Sequence, residues 1–241
     1  FVDEPGLDEI LKGSIEHNKI EFVTDTDYLV KNVDMMLVCV PTPITKDMAP
    51  DYSYISDVAN KVGKNLRKGQ IFVMESSVSP TTIETIIIPI LEKVSNLKCN
   101  SDFGVCSAPE RADPGKIVQN FDTVNRVVGG MDKDVTKLVA DVYRAVTKAT
   151  VMEVSSAGTA NAIKLTENIF RDVNIALMNE FSVLYERLGI DTKEVIKGAA
   201  TKYNFIAHYP GPGVGGPCLP ANPYYIIDAA SKVNYIPFLI R

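Results

Sequence analysis

Along the first half of the chain, apolar positions recur at two spacings, and the two alternate. Leu7, Ile10, Leu11 and Ile15 stand at helical spacing and predict a helix over Pro5 to Glu16. A short strand, Ile20 to Val23, follows, then a helix over Asp25 to Lys31. Asp34 to Val40 reads as an apolar strand ended by Pro41-Thr42-Pro43. Ile55, Val58, Ala59, Val62 and Leu66 restore the helical period over Tyr52 to Leu66, and Gly69 stops it. Ile71 to Met74 predicts a strand and Thr81 to Val94 a helix that Pro89 must kink or break. Phe103 to Cys106 and Asn125 to Val128 read as strands, and Asp132 to Val146 as a helix.

Continuous apolar strands between amphipathic helices predict a parallel sheet covered on both faces. The fold class is therefore α/β, with a Rossmann-like, doubly wound domain over residues 1–154. In such sheets ligands bind beyond the carboxyl ends of the strands. Pro41-Thr42-Pro43, Glu75-Ser76-Ser77-Val78 and Ser107-Ala108-Pro109-Glu110-Arg111 occupy those positions.

The rest, residues 155–241, has another character. From Ser155 to Ile190 there is no proline, and Gly158 is the one glycine before Gly189. Ile163, Phe170, Val173, Leu177, Phe181, Leu184 and Leu188 trace an apolar stripe. A helix of about 35 residues would run about 50 Å, so it is either broken or bridges domains and subunits. Asp191 is placed to cap a short helix ending near Ala200. Tyr209 to Pro223 holds five of the 14 prolines and four of the 15 glycines and reads as a loop.

Composition narrows the function. With 46% hydrophobic and 23% charged residues, disorder, collagen and a small disulfide scaffold are excluded. No apolar run approaches the length of a membrane helix, and the first residues lack a signal-peptide core. A net charge of −5 disfavours nucleic acid. Cys39, Cys99, Cys106 and Cys218 form no CxxC pair and there are two histidines, so no metal site is expected. Unpatterned thiols suit a reducing cytoplasm.

Three groups could carry chemistry. Cys218, just past a glycine-rich loop, is either a covalent nucleophile or an inert, half-buried cysteine. Lys164 and Asn168 share a helix face with Asn161 and Asp172. They are either a solvated pair or two donors converging on one oxygen. Glu110, with Arg111, faces either a ligand cleft or solvent; Ser77 and the Pro41-Thr42-Pro43 turn are weaker signals of the same kind. No G-x-G-x-x-G follows a strand and opens a helix, and Gly211 to Gly216 lacks that context.

In order along the chain stand Glu4-Pro5-Gly6-Leu7-Asp8, Cys39-Val40-Pro41-Thr42-Pro43, Glu75-Ser76-Ser77-Val78, Ala108-Pro109-Glu110-Arg111, Lys164-Leu165-Thr166-Glu167-Asn168 and Gly213-Val214-Gly215-Gly216-Pro217-Cys218. Together they resemble the UDP-glucose/GDP-mannose dehydrogenase family. The Pro-Glu-Arg segment, the run Lys164 to Ala176 and the Pro-Gly-Pro-Gly-Val-Gly-Gly loop look like its UDP-N-acetyl-D-mannosamine dehydrogenase branch.

The resemblance implies a four-electron oxidation of a nucleotide sugar's 6-hydroxyl to a carboxylate, with two NAD. Cys218 would form a thiohemiacetal and then a thioester. Lys164 and Asn168 would hold the oxyanion and a water, and Glu110, helped by Ser77, would position or activate water. Val40, Pro41, Thr42 and Ser77 would line the NAD site. Glu110, Arg111, Lys164 and Asn168, with Gly211, Gly213, Gly215 and Gly216, would hold the substrate. A homodimer through the long helix is implied as well. The same chemistry on UDP-N-acetylglucosamine, UDP-glucose or GDP-mannose is the alternative, as is a non-catalytic dimerisation or binding module. A hydroxyacid or 6-phosphogluconate type dehydrogenase would not need Cys218.

Two positions depart from the family's pattern. One is Asn222, where the family has an Asp four residues after the cysteine; the other lies upstream of the glycine loop, where the family has a basic residue, often Arg, and this chain offers Lys202 and Asn204. The resemblance also implies about 60 further residues upstream, with the first βαβ unit and its glycine turn. A second nucleotide-sugar-binding domain is implied downstream. These 241 residues alone are then expected to bind NAD weakly and to turn over nothing.

Overall fold

The structure, a computed structural model, describes residues 3–216 and 218–240. Its chain forms two compact units: Phe1–Thr42 with Asp51–Lys164, and Pro43–Pro50 with Leu165–Arg241.

In the first unit, α1 (Leu7–Glu16) and α2 (Thr26–Asn32) lead into β1 (Met35–Val38), then α3 (Ser53–Gly63) and β2 (Ile71–Met74). The segment expected as a strand at Ile20 to Val23 pairs with nothing and forms none, and Phe22 is 71% exposed. A strand is defined by its neighbour's hydrogen bonds, and among the described residues this one has no neighbour. Helical winding resumes at Ile83–Ile87 as a π-turn and passes into α4 (Ile88–Ser95). Pro89 sits in the first turn of α4. It lacks an N–H, and its ring crowds the carbonyl four residues back, so the wider π-turn just before it absorbs the conflict.

β3 (Gly104–Ser107), α5 (Ile117–Asn120), β4 (Arg126–Gly130), α6 (Lys133–Val146) and β5 (Val151–Glu153) complete the sheet, ordered β1-β2-β3-β4-β5. β1, β2 and β3 run parallel in register, Met35 beside Ile71 beside Gly104. β4 then pairs antiparallel with β3, and β5 parallel with β4. The sheet is thus mostly parallel, with one reversal at β4, which follows a connection that carries only the single-turn α5.

Both faces are covered, as four-residue strands with unbroken apolar sequence require. Phe72 and Met74 pack with Ile55, Ala59 and Val62 of α3 and with Ile83, Ile87 and Leu91. Ile71 and Val73, one residue out of phase, pack with Val139, Ala140 and Tyr143 of α6. Each such fully buried side chain stabilises the unit by about 1.5–3 kcal/mol. Buried Gln70 ties the sheet to α2: its Nε2 donates to the carbonyls of Val30 and Val33, both at 2.6 Å, and its Oε1 accepts from Arg67 N. Gly129 allows the chain to return close by, since a Cβ there would lie 2.1 Å from the Ser156 carbonyl.

The helix α7 (Ala157–Leu188) is unbroken over 32 residues, about 48 Å. Its first two turns belong to the first unit and the remainder to the second. In the second unit α8 (Thr192–Ala199) is capped by Asp191, whose carboxylate accepts from Lys193 N. The loop after it ends in α9 (Asn222–Lys232), a helix the sequence pattern did not announce.

Candidate active site

In the first unit the three segments expected at the strand ends are bonded to one another. Beyond β2, the backbone N–H groups of Glu75 and Ser76 donate to the Val38 carbonyl, and Ser76 Oγ donates to the Val40 carbonyl at 2.7 Å. Ser76 thereby ties the start of the Val40-Pro41-Thr42 turn to the end of β2. Beyond β3, Glu110 N donates to the Glu75 carbonyl at 3.0 Å, which brings Glu110 to the same edge.

Glu110 is held firmly. Its Oε1 accepts from the backbone N–H groups of Arg111 and Ala112. Its Oε2 pairs with Arg126 Nη1 at 2.9 Å. The Arg126 guanidinium lies over the rings of Phe121 and Tyr143, at 5.2 and 5.7 Å from their centroids. Burial opposes ionisation of Glu110, but the Arg126 charge and the N–H donors outweigh it and hold the carboxyl below its ordinary value. It is therefore an anion at neutral pH, better suited to orienting a water than to taking a proton from one. Arg111 turns away to the Asn125 carbonyl at 2.6 Å.

Sequence reasoning placed Glu75 at this edge but did not anticipate Tyr143 there. The Tyr143 hydroxyl donates to one Glu75 carboxylate oxygen, and Cys39 Sγ lies 3.4 Å from the other. Burial of the sulfur and the Glu75 charge push the Cys39 thiol up to about 12, and burial pushes Cys106 up to about 12 as well. Neither is a nucleophile at neutral pH. Lys164 lies half-buried on α7, one turn after Asn161.

The second unit carries the glycine loop. Gly213, Gly215 and Gly216 have φ of +126°, +79° and +71°, and a Cβ at any of them meets nothing within 4 Å. Glycine is needed here for backbone conformation, not for space. Gly211 N donates to Asn179 Oδ1 of α7 at 2.8 Å, anchoring the start of the loop. Pro217, part of the Gly213 to Cys218 motif, lies outside the described residues.

At the loop's far end the exposed Cys218 accepts at its carbonyl from Ala221 N and Asn222 N, so it closes the turn that leads into α9. Asn222, 3% exposed, accepts from Asn168 Nδ2 at 2.5 Å. Lys202 and Asn204 lie exposed between α8 and the loop. Asp172, one turn beyond Asn168, has its carboxyl raised by burial.

Family models match nearly the whole chain. Residues 1–147 match the UDP-glucose/GDP-mannose dehydrogenase family, NAD binding domain, and residues 158–241 match the same family's central domain. The chain belongs to the UDP-glucose/GDP-mannose dehydrogenase family. Among the family's curated members, the chain is 41% identical over 232 residues to Protein CapL of Staphylococcus aureus, covering 96% of this chain and 54% of that one. It is 37% identical over 225 residues to the UDP-N-acetyl-D-glucosamine 6-dehydrogenase of Pseudomonas aeruginosa, covering 93% and 53%. The solved structure of the UDP-D-ManNAc dehydrogenase of Pyrococcus horikoshii superposes with a TM-score of 0.92 at 35% identity, covering 100% of this chain and 56% of that one. The chain thus spans about half the length of the curated relatives it matches.

The residues matched to the family's NAD binding domain include the whole strand edge described above. Among the described residues no helix is long and apolar enough to cross a membrane.

Proposed function

We propose that this chain is part of an NAD-dependent nucleotide-sugar 6-dehydrogenase that oxidises UDP-N-acetyl-D-mannosamine to UDP-N-acetyl-D-mannosaminuronate. The observation that carries this reading is Cys218: in a chain of this family, it is an exposed thiol at the end of the glycine loop, while Cys39 and Cys106 are pushed up to about 12. Bound at the strand edge, NAD supplies the hydride acceptor for both oxidation steps.

Cys218 acts on the aldehyde. Its thiolate adds to the carbonyl carbon, giving a thiohemiacetal whose carbon retains one hydrogen. Loss of that hydrogen as hydride leaves a thioester, and water then displaces the thiol to give the carboxylate. Lys164 donates to the oxygen that becomes anionic in these steps, and Asn168, oriented by Asn222, supplies a second amide donor or holds the water. Glu110 orients water with Ser77 at the edge. Gly211, Gly213, Gly215 and Gly216 offer backbone to the sugar and its phosphates.

The mannosamine epimer is favoured by the structural likeness to the Pyrococcus horikoshii enzyme. The Pseudomonas aeruginosa relative supports UDP-N-acetylglucosamine as the second reading. The apolar stripe of α7 leaves Phe170, Leu177, Leu184 and Leu188 exposed, which supports a homodimer through this helix. Four free thiols support a reducing, cytoplasmic setting.

The test is NADH formation by the full-length enzyme with each nucleotide sugar, and by its Cys218→Ser variant. Turnover of UDP-N-acetylmannosamine that the variant cannot carry to the acid is expected. Turnover of UDP-glucose alone defeats the substrate assignment, and an unimpaired variant defeats the mechanism.

A further inference from the structure

One buried side-chain pair joins the end of β3 to the start of α7. Ser107 Oγ donates to Asn161 Oδ1 at 2.6 Å. Ser107 is fully buried and Asn161 is 1% exposed. Ser107 stands three residues before Glu110, and Asn161 three before Lys164. Both intervals are stiff. Ser107 is the last residue of β3, and Glu110 N is bonded to the Glu75 carbonyl. Asn161 and Lys164 are neighbours on one face of a continuous helix. Fixing Ser107 to Asn161 therefore fixes the separation of Glu110 from Lys164, all within the first unit.

A buried pair of this kind could serve stability alone, but the other end of the Asn161 amide argues against that. Its Nδ2 is buried with no hydrogen-bond partner among the described residues. An orphan donor in a protein interior is destabilising and calls for another reason to be there. Ala157, Ala160 and Leu165 are fully buried on the same helix, and a leucine at 161 would join them without leaving an orphan. Ser107 would not be stranded, because its hydroxyl also reaches the Met74 carbonyl at 3.3 Å.

We propose that the Ser107–Asn161 pair is a positioning device that sets the distance between the Glu110 carboxylate and the Lys164 ammonium. The proposal rests on the roles assigned above to Glu110 and Lys164, so those two are tested alongside it. The experiment measures kcat, KM for nucleotide sugar and for NAD, and melting temperature in the full-length enzyme. The variants are Ser107→Ala, Asn161→Leu, the double variant, Lys164→Ala and Glu110→Gln.

Misplacing a catalytic group by a fraction of an ångström predicts a fall in kcat of about tenfold or more, with both KM values within about twofold. The double variant should be no slower than the slower single one, since the second change removes nothing further. Melting of Asn161→Leu should stay within about 4 °C of wild type or rise. If the leucine variant does not fold, Ser107→Ala, which deletes one oxygen, still decides the matter. Unchanged kcat in the pair variants, beside inactive Lys164→Ala, overturns the positioning role and leaves the site assignment standing. Full activity of both Lys164→Ala and Glu110→Gln overturns the site assignment, and the proposal with it. A kcat loss that merely follows a lower melting temperature makes the pair structural and also overturns it.

Discussion

Replacing Glu110 with glutamine isolates one charge at the candidate site. Glutamine keeps the volume and an oxygen to accept from the Arg111 and Ala112 N–H groups, but it takes the carboxylate from Arg126. The pair is 2.9 Å long, with side chains 44% exposed at Glu110 and 12% at Arg126. A hydrogen bond to a charged group contributes about 1.5–3 kcal/mol, and solvent at the Glu110 end screens part of it. The buried guanidinium left behind restores some of that cost, so the loss is set at about 1–2 kcal/mol. For a chain of this size, that lowers the melting of the first unit by about 2–8 °C.

The sign of the pH dependence follows from the depressed carboxyl. Its contribution is complete above the ordinary value of 4.5 and is lost as pH falls through the lower folded value. Thermal melts of wild type and Glu110→Gln at neutral pH and in acid give the check. The gap between them is full at neutral pH and closes in acid. A gap of the same size at both pH values, or a glutamine variant more stable at neutral pH, would refute the account of Arg126 as the group that holds Glu110.

Three further outcomes are expected. Limited alkylation of the native chain at pH 8, read by peptide mass spectrometry, modifies Cys218 first. Cys39, pushed up to about 12, has a thiolate fraction of about one in ten thousand there, and early labelling of Cys39 or Cys106 contradicts this. Gly215→Ala costs about 1–2 kcal/mol through its left-handed backbone, whereas Gly198→Ala, in α8 with open space around it, gains about 0.5–1 kcal/mol. Equal signs in denaturant melts would show the loop glycines are not conformationally required. Gln70→Leu strands the Val30 carbonyl and the Arg67 N–H and lowers stability by about 2–4 kcal/mol, and a variant as stable as wild type would contradict the bonds assigned to Gln70.

The elements most legible in the sequence were those whose burial is decided by their own spacing. Ile71 to Met74 was recovered to the residue, and the long helix to within two residues at each end. What escaped depends on partners distant in the chain. Ile20 to Val23 has the composition of a strand and no ladder. The reversal at β4 is a pairing with β3, which no local pattern encodes. β5 is three residues long, too short to show a period, and α9 begins at a proline-rich segment that reads as loop. At the strand edge the same divide holds. Glu110 and Ser77 were legible because they follow apolar runs. Arg126 and Tyr143 were not, because they reach the edge from a separate strand and helix.

Asn222 shows most clearly what structure adds to the reading of the site. The sequence marks Asn222 only as an amide where the family has an Asp. The side chain is buried, and its acceptor is committed to Asn168 at 2.5 Å, while its backbone N–H is committed to the Cys218 carbonyl at 3.0 Å. One residue therefore connects the loop of the proposed nucleophile to the amide of the proposed oxyanion donor. An amide makes this connection without a charge, so Asn222, 3% exposed, neither needs a counter-ion nor changes with pH. Glu110 is likewise an orienting anion, its lone pairs engaged by Arg126 and two N–H groups. On the proposed reading both positions orient, and the charge changes of the reaction fall to the thiol of Cys218, to the substrate oxygen and to water. In the proposed mechanism Lys164 is the charged donor to the substrate oxygen as it alternates between neutral and anionic.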